Sequence, residues 1–277
     1  MSPELIHHLL LTMRSLIVWL FVLTAIFVPL ERLFGVIRQP TLRPHILADL
    51  GYFFMTGLIP TLILAVPLGA IAAVSRELMP DTYLFRVISL PIPAQIAIAF
   101  VIGEFGFYWG HRIMHQVPWL WRFHAIHHEP VRMDWLINSR AHAIDIIFTR
   151  MIGLTLVTAA GFGSPGAGSG SLVPVIVLII GTFWGFFIHS NLRVRLGWLE
   201  HILSTPRFHH WHHSRVDHVN RNYASTLPIY DKIFGTHHLP PAAWPPSYGI
   251  APENRPEALL DAHHDDLPGQ EPAAPKA

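Results

Sequence analysis

The segment GEFGFYWGHRIMHQVPWLWRFHAIHH, residues 103–128, decides how this chain is read. An apolar run that begins near Ile88 carries straight into it and ends in His111 and His115, four residues apart. On a helix that spacing is one turn, about 6 Å of rise, on one face. Val117-Pro118-Trp119 then breaks the helix, because proline brings no backbone N–H to it. His124, His127 and His128 follow at i, i+3 and i+4, again on one helical face. Two imidazoles one turn apart can share a metal ion, so this stretch predicts a membrane-length helix that delivers metal ligands at its end.

The composition agrees. Of 277 residues, 51% are hydrophobic and 13% charged, and the mean hydropathy is +0.38, values that exclude a disordered chain and fit a membrane protein. Nineteen Lys and Arg against eighteen Asp and Glu leave no basic excess for a phosphate backbone, so nucleic acid is not an expected partner. With no cysteine, iron–sulfur clusters and thiolate-bound metals are ruled out, and any metal sits on nitrogen or oxygen. Twenty histidines are the anomaly.

Five apolar runs are expected to cross the membrane: Leu9–Leu30, Ile46–Val74, Ile88–Trp109, Ile144–Ala160 and Leu172–Ile188. The first is too long for a signal-peptide core and lacks a small-x-small cleavage site. Pro60, Pro67, Pro91 and Pro93 should kink or shorten the second and third runs, and GFGSPGAGSGS (161–171) reads as a flexible turn between the last two. Arg and Lys gather in the loops after runs one, three and five, whereas Arg76 and Arg86 stand alone on the other side. The positive-inside rule therefore puts the His-bearing segments in the cytoplasm and the N-terminus outside. The expected fold is all-α: a polytopic membrane helical protein with a cytosolic histidine-rich helical cap. Residues 1–240 form one catalytic domain, motif-bearing over about 104–236, and 241–277 form a loosely ordered Pro/Ala-rich tail.

The H-x-x-H-H pattern returns at His209, His212 and His213, with His210 as an extra. At this chain's own His frequency about 0.1 copies are expected by chance, and two are present. His189 at the end of the fifth run and His142 in NSRAHAID are placed to join them, so the predicted ligands are His111, His115, His124, His127, His128, His142, His189, His209, His212 and His213. His201 is as readily structural, and His7, His8, His237, His238, His263 and His264 read as solvated surface. No carboxylate falls inside a motif, which predicts two ions further apart than the ~3.5–4 Å of bridged pairs. Glu104, Asn138, Asp145, Asn191 and Asp231 are the candidates for holding imidazoles through their other ring nitrogen.

HRIMH at 111–115, HAIHH at 124–128, HSN from 189 and HHWHH at 209–213, followed by NRNYASTLPIYDKIFGT, resemble the integral-membrane fatty acid hydroxylase and sterol desaturase superfamily. The resemblance covers about Glu104 to Thr236. It implies a four-helix-type membrane scaffold and a cytosolic, histidine-bound pair of iron ions, for which zinc can substitute, using dioxygen on lipids. Ala143 and Asp145 stand where sterol-acting members carry Pro and Glu, and Ala224 where Gly is usual, which weakens a sterol-specific assignment.

An unactivated C–H bond yields to no side-chain acid, base or nucleophile, so a redox metal and dioxygen are required. The expected reaction is hydroxylation of a fatty acyl chain or sterol, with desaturation second. Without a dinucleotide fingerprint or cysteine, the electrons must come from an external ferredoxin or cytochrome b5 system. Phe105, Phe107, Tyr108, Trp109, Phe183, Trp184, Phe186 and Phe187 are candidate tunnel residues. A membrane zinc hydrolase is the rival enzyme, although it needs fewer histidines, and a metal transporter is the non-enzymatic rival.

Overall fold

Proline sets the beginnings of the two helices that lead into the histidines. In the computed structural model, which describes residues 3–163, 172–216, 220–241 and 243–256, Pro91 caps α4 (Ile92–Gln116) and Pro118 opens α5 (Pro118–His128). Val117 between them is extended at φ −100° and ψ 110°, as a residue before proline prefers, so α5 leaves α4 at a corner.

Around these stand α1 (Pro3–Phe34), α2 (Ile46–Leu78), α3 (Asp81–Ser89), α6 (Ala143–Ala159), α7 (Leu172–His189), α8 (Pro206–His212) and α9 (Ile229–Ile233). There is no strand among the described residues. Four helices, α1, α2, α4 and α7, are long and apolar enough to cross a membrane. The expected fourth run becomes α6, a 17-residue helix of about 25 Å, wedged between α2 and α4. Pro60 and Pro67 do not shorten α2, which runs unbroken for 33 residues; such prolines are tolerated where neighbouring helices and local adjustments satisfy the freed carbonyls. The third run is shorter than expected at its start, since α3 takes Ile88 and Pro91 restarts the helix. Gly161 and Gly163 leave α6 with positive φ, +87° and +104°, and the rest of the expected Gly/Ser turn, 164–171, lies outside the described residues.

The closest helix packing depends on glycine. A Cβ on Gly106 of α4 would stand 2.7 Å from the Cα of Gly153 on α6, and one on Gly110 would stand 3.2 Å from the Cα of Thr149. Small residues at facing positions let the two backbones touch, which is how apolar helices associate where no hydrophobic driving force separates helix from lipid. At one end of the bundle Val87, Ala99, Val157, Phe162, Val173 and Val177 form a buried cluster. At the other, polar groups tie the segments together. Glu31 of α1 accepts from the backbone N–H of Trp135 at 2.8 Å and of Asn191 at 2.9 Å. Buried Asp49 of α2 accepts from Arg43 at 2.6 Å and from Arg140 at 3.0 Å, and Arg43 also pairs with Asp134. These bonds fix the 129–140 segment, the route from α5 to α6.

Gly106→Val should lower stability by about 1–3 kcal/mol through overpacking against α6. Gly69→Ala, whose Cβ meets nothing within 4 Å, should not; thermal unfolding of the two variants in detergent compares them.

Candidate metal centre

Nine buried imidazoles gather at the polar end of the bundle in two groups. His111, His115, His124, His128 and His212 form one, and His127, His189, His209 and His213 the other, each with its ligand nitrogens within 4.8 Å of one another. The two H-x-x-H-H motifs are divided between them. His124 and His128 face the first group while His127 faces the second; His212 faces the first while His209 and His213 face the second. A rotation of about 100° per residue turns position i+3 away from i and i+4 far enough to serve a neighbouring site. The groups touch, with the rings of His128 and His213 stacked at 4.3 Å between centroids.

What aims these rings is the acceptor on their outer nitrogen. Nδ1 of His111 donates to the Tyr223 carbonyl at 2.7 Å, of His115 to Asn220 Oδ1 at 3.1 Å, and of His124 to Asp145 Oδ2 at 2.8 Å. Nδ1 of His127 donates to the Arg140 carbonyl at 3.1 Å, of His189 to Gly185 at 2.7 Å, and of His212 to Arg221 at 2.8 Å. A carbonyl or carboxylate only accepts, so the proton is on Nδ1 and Nε2 presents a lone pair inward. In the first group the bare Nε2 atoms of His111 and His124 stand 3.1 Å apart; in the second those of His127 and His189 stand 3.0 Å apart. Lone pairs at that distance repel, and Nε2 of His115 and His212 has no partner at all among the described residues. A cation shared by each group answers both defects, so the donor set fits two metal ions.

Protonation is a poor substitute. Burial first, then neighbouring histidines, hold His128, His209, His212 and His213 well below the ordinary value of 6.5. His127 is pulled down to about 4, chiefly by burial and by His124. These five rings are therefore neutral at pH 7 and ready to bind metal.

Of the ten predicted ligands His142 is the exception. It caps α6, its Nδ1 accepting from Ile144 N at 3.2 Å, and its ring packs on Phe123; a helix start, where backbone N–H groups lack partners, has claimed it. Among the five expected imidazole holders only Asp145 bonds a ring directly. Asp231 acts one step removed, accepting from Tyr223 N and Ala224 N, both at 2.8 Å, and so fixing the carbonyl that holds His111. Glu104 instead accepts from Thr226 N at 2.7 Å, and Asn191 bonds the backbone of Ile37 on both sides. Asn138 lies against Gly185, where a Cβ would come within 2.6 Å of its Oδ1, and bonds no imidazole. Asn220 and the four carbonyls were not expected. His210 lies between Tyr248 OH at 2.9 Å and the Ser190 carbonyl at 3.1 Å, outside both groups. His237 and His238 are half-buried against Phe208 and Trp211, not surface; His263 and His264 lie outside the described residues.

The start of the expected loose tail is docked. Trp244 packs on His210, Trp121 Nε1 donates to the Asn254 carbonyl at 2.9 Å, and Ser214 pairs with Tyr248. Beside the histidines a cavity of about 440 Å³ runs down among α1, α2, α4, α6 and α7, and His111, His124, His127, His189 and His209 reach it. Phe107, Phe183 and Phe186 line it. Phe105, Tyr108, Trp109, Trp184 and Phe187 do not; Tyr108 and Trp109 are taken up by packing on Phe234.

Residues 96–236, which hold every one of the nine clustered histidines, match the family model described as fatty acid hydroxylase. The chain belongs to the fatty acid hydroxylase family. Its similar proteins include ornithine lipid hydroxylase OlsE of Rhizobium tropici, 40% identical over 164 residues, 58% of this chain and 46% of that one. Human alkylglycerol monooxygenase is 33% identical over 159 residues, covering 55% and 33% of the two chains. Methylsterol monooxygenase 2-2 of Arabidopsis thaliana is 31% identical over 157 residues, covering 53% and 56%. This fatty acid hydroxylase family member thus spans between a third and somewhat over half the length of these relatives. No solved structure matches it.

Two outcomes follow from this geometry. Asp145→Asn removes the charge behind His124 and should weaken iron binding about 10–100-fold, whereas Glu104→Gln should leave it unchanged; iron titration of the purified variants separates them. Below pH 6.5 the unfolded chain takes up protons that folded His127 and His210 refuse until about pH 4. The ion-free protein should therefore lose stability steadily between those pH values, as denaturant unfolding in detergent would record.

Proposed function

We propose that this protein is a di-iron membrane oxygenase that hydroxylates a C–H bond of a lipid with dioxygen. The observation that carries the reading is the pairing of two inward-facing sets of buried imidazoles with a cavity, largely apolar in lining, that reaches them from among the helices. When bound, a pair of ferrous ions supplies the redox chemistry with dioxygen that no side chain here can supply. His111, His115, His124, His128 and His212 would hold one ion and His127, His189, His209 and His213 the other, without a carboxylate between them.

The rest is work for the chain. Phe107, Phe183, Phe186, Leu154 and Val177 line a space in which an acyl chain keeps hydrocarbon neighbours and water is excluded. Asp145, Asn220 and the carbonyls of Tyr223, Arg140, Gly185 and Arg221 keep the ring tautomers and orientations fixed. The relatives are named hydroxylase and monooxygenase, which favours insertion of oxygen over desaturation. An external donor of the ferredoxin or cytochrome b5 type completes the electron balance, since the chain has no cysteine for a cluster. Arg122, Arg132, Arg193, Arg215 and Arg221 belong to segments at the histidine end and Arg76 and Arg86 to the opposite one, which supports a cytoplasmic site.

Lipids of cells expressing the protein under isotopic dioxygen should include a species heavier by one labelled oxygen. The product should be absent with His124→Ala or His213→Ala, each confirmed folded by its unfolding transition. Loss of two hydrogens without label would replace hydroxylation by desaturation, and an unchanged lipid profile would contradict the proposal.

A further inference from the structure

Arg150 stands at the middle of α6, five residues beyond Asp145 and so about 7.5 Å further along the helix axis. It lines the same cavity as the histidines. The two carboxylates on that wall are already engaged, Glu104 with Thr226 N and Asp145 with His124. The hydroxyls of Thr12, Ser15, Thr56, Thr61 and Thr149 all donate to carbonyls of their own helices. Arg150 itself has no hydrogen bond, ion pair or ring contact among the described residues.

A guanidinium keeps its charge at any working pH, and placing it unpaired among apolar helices is costly. From mid-helix its stem has a long way to travel to reach either surface, so simple snorkelling accounts poorly for it. Nor does it hold anything in the fold together, since it touches no polar partner. A cation cannot ligate a metal ion. What it offers is a planar fork of donors suited to two oxygens of one anion.

We infer that Arg150 anchors an oxyanion, a carboxylate or a phosphate, of the lipid bound in the cavity, so that the site takes acidic lipids in preference to neutral ones. The inference rests on the cavity being the substrate site proposed above and names its substrate class. It also gives the cavity a direction, with the charged end of the lipid held on α6 and the remainder free to pass the imidazoles.

The test uses the full chain, purified without metal in a non-ionic detergent at mildly alkaline pH, and three probes of equal chain length: hexadecanoate, hexadecyl phosphate and hexadecanol. Equilibrium binding to the wild type should favour at least one anion over hexadecanol by about tenfold or more, and the anion preferred separates a carboxylate from a phosphate source. Arg150→Gln should remove that preference while leaving hexadecanol binding unchanged, and Arg150→Lys should keep part of it. Arg150→Gln should also unfold at no lower temperature than the wild type, because no bond is lost. Equal binding of the alcohol and both anions by the wild type, or an anion preference that survives Arg150→Gln, would overturn the inference. Binding is read without metal, so the two readings fail separately. An Arg150-dependent preference in a protein that oxidises no lipid would sink the oxygenase and keep the anchor; lipid oxidation with no such preference would do the reverse.

Discussion

An imidazole has two nitrogens, and fixing one of them decides what the other can do. In six of the nine clustered histidines an oxygen acceptor outside the cluster holds the proton on Nδ1, which turns six Nε2 lone pairs toward one another in a buried space. Water could separate such rings at a surface. Here each ring is less than a tenth exposed, and burial resists the protons that would otherwise quench the repulsion. The arrangement suits a cation in each group, and the bundle is what holds these rings in place.

The scaffold meets that demand from three directions. The α4 end supplies His111 and His115; the corner at Pro118 swings α5 back across them with three more; and the C-terminal end of α7 adds His189 beside the α8 turn. The Gly106–Gly153 contact brings α6 near enough for Asp145 to reach His124. Arg140 does double duty, its side chain locked to Asp49 and Glu129 and its carbonyl to His127, so that the ion-pair network under the site also positions the His127 ring. The cavity then opens from this polar end into the apolar interior, a path that the proposed lipid substrate could follow to the imidazoles without crossing water.

Helical periodicity made much of this legible in the sequence. The i, i+4 and i, i+3, i+4 spacings and the repeat of H-x-x-H-H pointed to eight of the nine clustered rings, the end of an apolar run pointed to His189, and nearness to the ligands in sequence pointed to Asp145. The rest failed for physical reasons. Four of the acceptors are backbone carbonyls, which every residue has and no residue type advertises. Glu104 and Asn191 lie near ligands in the chain but point to loops that needed a partner more. His142 was claimed by a helix start, and α2 runs unbroken through two prolines. Arg150 did have a signal, a guanidinium in the centre of an apolar run, but it draws notice only beside the empty-handed geometry of its cavity.

The central claim is that each imidazole group binds its own ion and that no carboxylate joins them. Metal analysis with X-ray absorption spectroscopy on the protein purified with iron tests it most directly. The account predicts two irons per chain, each in a nitrogen-dominated shell typical of imidazole, with no iron–iron vector at the ~3.5–4 Å of bridged pairs. A single iron per chain, or a pair joined at that short distance through a carboxylate, would contradict it.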